Sequence, residues 1–220
     1  MWGWGSVVSP KAALAVAVAA VAAMGVLLAA TAAPVAEAKK KTFSSGPINR
    51  PFTTYSGFAD TIKIKKRGKI KGVDVAIRIT HPDTTDLEID IADRLFFGTI
   101  LSQGWPGDGP SLSPDFGTGP GGCRGNVFTV FDDQAPTHIS QGTNPFAGSY
   151  NPMEVTYPGG GAPPVLSGVP ALAELKGRPL NQRFTLSSAP VLFGPADHPG
   201  VLHCWKMTVK YKPQKGKKQK

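Results

Sequence analysis

The amino-acid sequence predicts an all-β fold, an antiparallel sandwich or barrel of six or more short strands. Apolar and polar residues alternate over residues 69–80, where Val73, Val75, Ile77 and Ile79 form one row. This period of two places one row of side chains in a core and the other in water. The chain has 220 residues, with 26 glycines and 21 prolines scattered between the apolar runs, a density that long helices do not tolerate. Its length and its apolar content of 41% suit one buried core.

The remaining strands are shorter, and turn-rich segments separate them. Residues 103–124 and 135–168 are dense in glycine, proline and serine, which predicts long surface loops. Residues 172–176 predict a single helical turn. The strands that the alternation and the apolar runs predict cover residues 62–64, 69–80, 87–91, 126–131, 183–192 and 203–211.

The first 38 residues have the pattern of a secretory signal peptide. Residues 12–33 are an almost unbroken apolar stretch, and Ala36, Glu37 and Ala38 then supply the small-x-small pattern that signal peptidase accepts. The alternative is an uncleaved membrane anchor, because the stretch is long enough to span a bilayer. Its alanine-rich composition favours cleavage, since alanine enters hydrocarbon less readily than leucine or phenylalanine. Both alternatives predict export, so we expect the chain to be secreted, extracellular or attached to the cell surface.

The sequence predicts four segments. The signal peptide covers residues 1–38, a polar and flexible segment covers 39–54, a β-sandwich domain covers 55–211, and a basic tail covers 212–220. The tail is rich in lysine, glutamine and glycine and cannot bury apolar surface, so we expect it to be disordered.

The chain is strongly basic, with 24 lysines and arginines against 15 acidic residues and a net charge of +9. The positive charge is concentrated at residues 39–41, 63–71 and 212–220. These runs form either solvated faces and frayed ends or a surface that attracts an anionic cell-wall or cell-surface polymer, lipid headgroups or acidic glycans. Nucleic acid is not expected as a partner, because the chain is exported and lacks an interleaved aromatic and basic motif. The candidate polymer-binding residues are Trp105, Lys212, Lys215, Lys217, Lys218 and Lys220.

Cys123 and Cys204 are the two cysteines of the chain. An even number of cysteines in an exported protein indicates a disulfide. A thiol nucleophile is the alternative, but no histidine-centred signature surrounds either cysteine. We therefore predict a structural Cys123–Cys204 bridge.

Three segments, taken in order, resemble the P domain (P/Homo B domain) that accompanies subtilisin-like proprotein convertases. Residues 72–81 and 86–91 resemble a strand, a Thr-His turn and an Asp-Leu pair that opens the next strand. Residues 126–152 carry Phe-Asp-Asp, Pro-Phe and Gly-Ser-Tyr, similar to a passage in bacterial members. Residues 200–207 contain Gly-Val-Leu and a tryptophan, similar to the closing strand. The resemblance extends over residues 55–211.

This resemblance implies a jelly-roll-like sandwich or barrel of about eight strands with a galactose-binding-like architecture. In the family the module packs against a subtilisin-like catalytic domain and supports its folding and stability. An accessory role is therefore expected, with a secreted subtilisin-like protease as a candidate partner in trans. The residues after Ile91 and around Phe184 depart from the family's pattern.

Four aspartates are candidate calcium ligands. Asp83 and Asp86 lie in the turn after the long alternating strand, and Asp132 and Asp133 follow the strand that ends at Phe131. Clustered loop carboxylates and backbone carbonyls can supply the oxygen ligands that Ca²⁺ takes. The alternative is that these aspartates cap turns through side chain to backbone bonds. We hypothesise that Asp86 binds Ca²⁺ together with Asp132 or Asp133, and no other cofactor is expected.

The sequence predicts no catalytic residues. It contains no Gly-x-Ser-x-Gly elbow and no Gly-Thr-Ser nucleophile segment of a subtilisin-like protease. His81, His138, His198 and His203 lack His-Glu-x-x-His spacing, and we interpret them as turn or strand residues. An endopeptidase label would describe the usual neighbour of a P domain.

Two functions of different classes follow from these observations. The first is a non-catalytic accessory or binding module, exported to the cell surface or the medium. The second is a glycan-binding or adhesion domain, for which Trp105 in the long loop is the candidate aromatic platform. An enzyme would need a cluster of perturbed titratable groups in a cleft, which the sequence does not indicate.

Overall fold

The structure is a computed structural model, and all the residues it describes except Glu37 belong to the unit Ala38–Lys220. The predicted signal peptide lies outside the described residues except for Glu37 and Ala38. The described residues are 37–84, 87–94, 98–103, 115–143, 145–152, 155–156, 165–166, 171–189 and 197–214.

Short strands dominate the described residues, as the alternating pattern predicts. Two 3-10 turns interrupt them, at Ile139–Gln141 and at Ala171–Leu175, and the second confirms the helical turn predicted over residues 172–176. The strands are β1 Lys39–Ser44, β2 Arg50–Thr53, β3 Phe58–Lys63, β4 Gly68–Thr80, β5 Glu88–Asp93, β6 Gly98–Gln103, β7 Thr129–Phe131, β8 Gly148–Tyr150, β9 Val155–Thr156, β10 Val165–Leu166, β11 Arg183–Ala189 and β12 Pro199–Pro213.

Two sheets and a small ribbon contain all of these strands. The six-stranded sheet has the order β1-β12-β4-β7-β8, and β2 also pairs with β12. The four-stranded sheet has the order β3-β11-β5-β6, and β9 and β10 form the ribbon. Every pairing is antiparallel except that of β7 with β8. The sheets are separate and open, so the fold is a sandwich and not a barrel, and together they hold ten strands instead of about eight.

The core lies between the two sheets and confirms the predicted rows. On β4, Val75, Ile77 and Ile79 are fully buried, and they pair with the equally buried row of β12. The four-stranded sheet contributes its own buried row, which includes Ile91 and Phe184. Each of these side chains stabilises the fold by about 1.5–3 kcal/mol.

The segment 39–54 is not the loose polar stretch that its sequence predicts. Its strands β1 and β2 both pair with β12, with Lys39 opposite Tyr211 and Thr53 opposite Pro199. The prediction failed because three consecutive lysines hide the strand alternation. Backbone hydrogen bonds to β12 and the packing of Phe43 against the core hold this segment in place.

Two further boundaries differ from the prediction. Strand β12 extends from Pro199 to Pro213, so Lys212 belongs to a strand and not to the tail. Strand β6 lies in a segment for which the sequence predicts no strand. Within the described residues, no helix is long and apolar enough to cross a membrane.

Candidate anion-binding site

One end of the sandwich collects a large share of the positive charge. Strand β3 ends at this point and β11 begins there, because Lys63 pairs with Arg183. Strand β4 begins beside the end of β12, where Lys69 pairs with Lys212. We call this region the basic end, and it comprises Lys63, Lys65, Lys66, Arg67, Lys69, Arg94, Arg178, Arg183 and Lys212.

A pocket of about 390 Å³ opens at the basic end. This volume falls in the range of about 300–1,000 Å³ that is typical of small-ligand sites. Three of its lining side chains are cations, two are amides and one is apolar, and no described carboxylate lines it. The lining residues are Lys63, Ile64, Arg94, Asn181, Gln182 and Arg183.

The three cations of the pocket have no acidic partner among the described residues. The ion pairs among the described residues do not involve these three cations: they join Lys40 with Asp74, Arg78 with Asp115, and Arg178 with Asp93. Unpaired guanidinium groups carry several N–H donors in a fixed planar geometry that matches carboxylates and phosphates. The pocket is therefore suited to an anion.

Gln182 adds a neutral donor to this wall. Its side-chain Nε2 is shielded from solvent and has no hydrogen-bond partner among the described residues. Its backbone is fully used, since the N–H donates to the carbonyl of Leu180 and the carbonyl accepts from Ile64, both at 2.9 Å. A shielded amide nitrogen without an acceptor is rare in folded proteins, and it marks a place where an acceptor can bind.

The only basic-end cation with a described carboxylate partner is Arg178. Its guanidinium lies 3.6 Å from Oδ2 of Asp93, a residue that is 5% exposed at the end of β5. This pair occupies the inner side of the strand, whereas the next residue, Arg94, lines the pocket. Asp93 therefore compensates Arg178 and leaves the pocket cations uncompensated.

The opposite end of the sandwich is built around a buried histidine. His81 follows β4, is fully buried, stacks on Phe52 with ring centroids 5.7 Å apart, and contacts the His198 ring at 6.1 Å. Its Nε2 lies 3.4 Å from Thr54 Oγ1. Gly200 allows this packing, because a Cβ there would lie 2.5 Å from Phe52 Cζ and 2.7 Å from His81 Cδ2. His81 and His198 are thus packed structural residues, as the sequence predicts.

A buried arginine lies near this end, and the sequence pattern does not predict its burial. Arg78 is 5% exposed, pairs with Asp115 at 3.3 Å, and donates to the carbonyls of Ile79 at 2.8 Å and Gly119 at 3.2 Å. The pair fixes the glycine-rich loop that follows Asp115 against β4. Small or polar residues alternate with apolar ones over the second half of β4, and nothing in that pattern distinguishes Arg78 from its less buried neighbours Asp74 and Ala76.

His203 belongs to the same polar network. Its Nε2 lies 2.9 Å from Thr80 Oγ1, and its Nδ1 lies 3.0 Å from Asn49 Oδ1. Burial lowers the pKa of His203, Arg78 lowers it further, and Asp115 opposes both. Burial also lowers the pKa of His138, whose Nδ1 lies 2.7 Å from the Ser140 hydroxyl. Both histidines favour the neutral form, and their contacts are those of structural residues.

The predicted disulfide is confirmed. Cys123 and Cys204 are bonded, with their Cα atoms 5.2 Å apart and a sequence separation of 81. Cys204 lies fully buried on β12, and Ser44 of β1 places its hydroxyl 3.4 Å from the sulfur of Cys123. The bridge ties the glycine-rich loop to β12, an interior strand of the six-stranded sheet.

The candidate calcium ligands are not all close together. Asp83 follows the end of β4. Asp132 and Asp133 follow β7, which pairs with the middle of β4. At about 3.3 Å per strand residue, the two positions are about 20 Å apart. Asp132 accepts from the N–H of Gln134 at 2.9 Å and Asp133 accepts from that of Leu172 at 3.0 Å, as turn-capping aspartates do.

Asp86 lies outside the described residues, so its pairing with Asp132 or Asp133 stays a prediction. Among the residues that the structure does describe, no three His, Cys, Asp or Glu side chains are grouped closely enough to hold a metal ion.

Of the predicted polymer-binding residues, the described part of the chain contains Lys212 alone. It is exposed at the end of β12 and belongs to the basic end. Trp105, Lys215, Lys217, Lys218 and Lys220 lie outside the described residues. The pocket cations Arg94 and Arg183 were missed, and the available signal was their position near the end of one predicted strand and at the start of another.

Two carboxyl groups on the outer side of β5 have perturbed acidity. Burial raises the pKa of Asp90 to about 6, and the neighbouring Glu88 carboxylate adds to the effect. Burial also raises the pKa of Glu88. The two residues are two positions apart on one strand, so they share one face of the sheet.

Comparison with known proteins gives two similar solved structures, both from Aeromonas sobria. One is a serine protease, with 14% identity and a TM-score of 0.44 over 84% of this chain and 29% of that chain. The other is the serine protease in complex with a chaperone, with 15% identity and a TM-score of 0.45 over 86% and 29%. The chain spans less than a third of these proteins. No protein-family model matches the chain, and no curated protein matches it.

Proposed function

We propose that this chain is an exported, non-catalytic binding module that attaches to an anionic cell-surface polymer through its basic end. The observation that carries this proposal is the group of cations around the pocket, none of which has an acidic partner among the described residues. Lys65, Lys66 and Arg67 extend the same positive surface beyond the pocket.

A polymer with repeated negative charges suits this surface better than a single small anion would. The cations come from the β3–β4 connection, the ends of β5 and β12 and the start of β11, so they cover an area and not a single point. Charges that are spread over an area attract a charged chain cooperatively, and salt weakens that attraction. The rigid sandwich holds the cations in place.

Export is supported by the disulfide together with the signal-like sequence of residues 1–38. Disulfides form and persist in oxidising compartments, which include the bacterial periplasm and the extracellular space. The bridge joins two segments that are far apart in sequence. An oxidising compartment is where a cell-surface polymer would be met.

The test is retention on an anionic polymer. The purified chain without residues 1–38 is applied to resins that carry polygalacturonate, which has carboxylates, or polyphosphate, and is eluted with a salt gradient. We expect retention on both resins at low salt and none on a neutral dextran resin. The double variant Lys65→Ser/Lys66→Ser should elute at lower salt than the wild type.

A matched control removes the same charge elsewhere. Arg124→Ser/Lys206→Ser removes two cations near the disulfide. Arg124 follows Cys123, and Lys206 lies on β12 two residues after Cys204 and six residues before Lys212 of the basic end. We expect this control to elute within a small margin of the wild type. An equal shift for both double variants would show that net charge alone governs retention, and the proposal would then fail.

A second candidate is an accessory role for a subtilisin-like protease in trans, as the P domain resemblance implies. The observation that favours it is the position of two residues from the segments that resemble the P domain. His81 of the Thr-His turn and Trp205 of the closing strand are both fully buried and hold the sandwich together. Conditioned medium from the source cells, or a co-expressed subtilisin-like protease, tests this role: the chain should prolong the protease's activity at elevated temperature. No change in that lifetime, and no complex on gel filtration, would reject it.

A further inference from the structure

The three pocket cations lie in a row at the neighbouring ends of three adjacent strands, on β3, on β11 and directly after β5. Lys63 of β3 is the register partner of Arg183 of β11. On the other side, Phe184 pairs with Asp93, the last residue of β5, and Arg94 follows directly and lines the same pocket as Arg183. Neighbouring strands lie about 4.8 Å apart. Arg183 is therefore flanked by a cation on each side.

Such a row destabilises the free protein. Like charges directly opposite each other on neighbouring strands repel, and none of the three has a carboxylate partner among the described residues. Other cations of the domain do have partners, such as Arg78 with Asp115 and Lys40 with Asp74. An anion bound against the row removes the repulsion.

The neutral donors beside the row indicate what kind of anion fits. Asn181 and Gln182 line the same pocket, and Gln182 Nε2 lacks an acceptor among the described residues. Guanidinium and amide donors together match an oxyanion, which presents several acceptor oxygens on one centre. A halide would leave most of these donors without partners.

We propose that the pocket binds one oxyanion group, a carboxylate or a phosphate, between Arg94 and Arg183, with Lys63 and the amides of Asn181 and Gln182 as further donors. The proposal rests on the proposed function for the source of this group, a repeating unit of the surface polymer. The pocket fixes the position of one anionic unit of the polymer. Lys65, Lys66 and Arg67 attract the polymer electrostatically but do not hold a particular unit in a defined geometry.

The experiment uses small probes that carry a single anionic centre. Binding of inorganic phosphate and of galacturonate to the chain without residues 1–38 is followed by the arginine Nε–H resonances in NMR titrations. We expect saturation at Arg94 and Arg183. The variant Arg94→Gln/Arg183→Gln should lower the affinity about tenfold or more, since each guanidinium supplies charge-assisted hydrogen bonds.

Lys65→Ser/Lys66→Ser removes the same charge at the same end but outside the pocket, and serves as the control. It should change the small-probe affinity less than about twofold, because exposed charges at a distance are screened. Equal losses in the two double variants, or linear shifts without saturation in the wild type, would overturn the proposal.

The row also predicts an effect on the free protein. In low-salt buffer without phosphate, Arg183→Gln should raise the Tm, because it removes the central charge of the row. Phosphate should raise the Tm of the wild type and raise that of Arg183→Gln by less at the same concentration. A lower Tm for Arg183→Gln would show that Arg183 is paired in the free protein and would contradict the site.

The two levels of the proposal fail differently. Saturable binding of phosphate without retention on either polymer would reject polymer attachment and keep the pocket as an oxyanion site for a soluble ligand. Polymer retention with no small-probe binding at Arg94 and Arg183 would keep the attachment and reject the pocket as its specific subsite.

Discussion

The indole Nε1 of Trp205 donates a hydrogen bond of 2.7 Å to Oδ2 of Asp60. Trp205 is fully buried on β12 of the six-stranded sheet, and Asp60 is half-buried on β3, an edge strand of the four-stranded sheet. A buried indole N–H needs an acceptor, and here the acceptor comes from the facing sheet. The bond therefore joins the two layers of the sandwich near their edge.

Replacing Asp60 with alanine should destabilise the fold. The change leaves the Trp205 N–H buried without an acceptor, which costs about 1–3 kcal/mol. Chemical denaturation measures the loss. Asp74→Ala is the control, since its ion pair with Lys40 lies at the surface, with Lys40 69% exposed, and should contribute less than about 1 kcal/mol.

The double variant Asp60→Ala/Trp205→Phe separates the hydrogen bond from general packing. Once phenylalanine removes the N–H donor, the further change at Asp60 should cost little. Additive losses in the double-mutant cycle would mean that the two side chains are not coupled in solution.

Removal of the disulfide should have a larger effect. The bond between Cys123 and Cys204 closes a loop with a sequence separation of 81. The chain-entropy model gives such a loop about 4–5 kcal/mol, because the bond restricts the unfolded chain. Cys123→Ala/Cys204→Ala and the reduced wild type should show matching losses in guanidinium denaturation. A loss below about 1 kcal/mol in both would contradict the model for this chain.

The buried pair of Arg78 and Asp115 can be tested through a histidine. Asp115→Asn leaves the Arg78 charge buried without its carboxylate, so stability should fall by about 1–3 kcal/mol. Because Asp115 raises the pKa of His203 against burial and Arg78, the same change should lower the pKa of His203 further. NMR titration measures this shift, with His138 as the internal reference that should not move. A rise for His203 would contradict the network.

The raised pKa of Asp90 predicts a dependence of stability on pH. The folded state holds this proton up to a pKa of about 6, above the usual value of 3.8, so stability falls as pH rises through this window. Asp90→Asn should therefore stabilise the fold at pH 8 and have little effect at pH 4. We expect about 1 kcal/mol at pH 8, less than the full linkage value, because water partly screens the group.

Glu88→Gln supplies the companion measurement for Asp90. The Glu88 carboxylate contributes to the raised pKa, and burial contributes more. The variant should lower the pKa of Asp90 only partway toward its usual value, as followed by carboxyl carbon shifts. A full return to the usual value would show that charge, and not burial, dominates.

The sequence predicted best those features that depend on a pattern within one segment or on a residue count. The alternation on β4 predicted a buried row that the structure confirms at Val75, Ile77 and Ile79. The cysteine count predicted the bridge. Strand β1 was missed because its lysines follow no alternation, and its position depends on pairing with β12, which is distant in sequence.

The candidate site was harder to predict, because three strands build it. Lys63, Arg94 and Arg183 are far apart in the sequence and become neighbours only through the order β3-β11-β5. The run of lysines at residues 63–71 predicted a positively charged surface but not the arrangement of the three cations around a pocket. Arg78 shows the reverse case: its burial depends on the loop at Asp115 and Gly119, which no local pattern connects with β4.

Separation of charge along the sandwich gives the molecule an orientation before any contact forms. Cations gather at one end, while Asp83, Asp115 and Asp197 lie around His81 and His198 at the other. In the field above a negatively charged layer, such an asymmetric body turns so that its positive pole leads. With the proposed attachment through the basic end, the molecule would therefore dock with the pocket forward, and the end that holds His81 and His198 would point away from the layer.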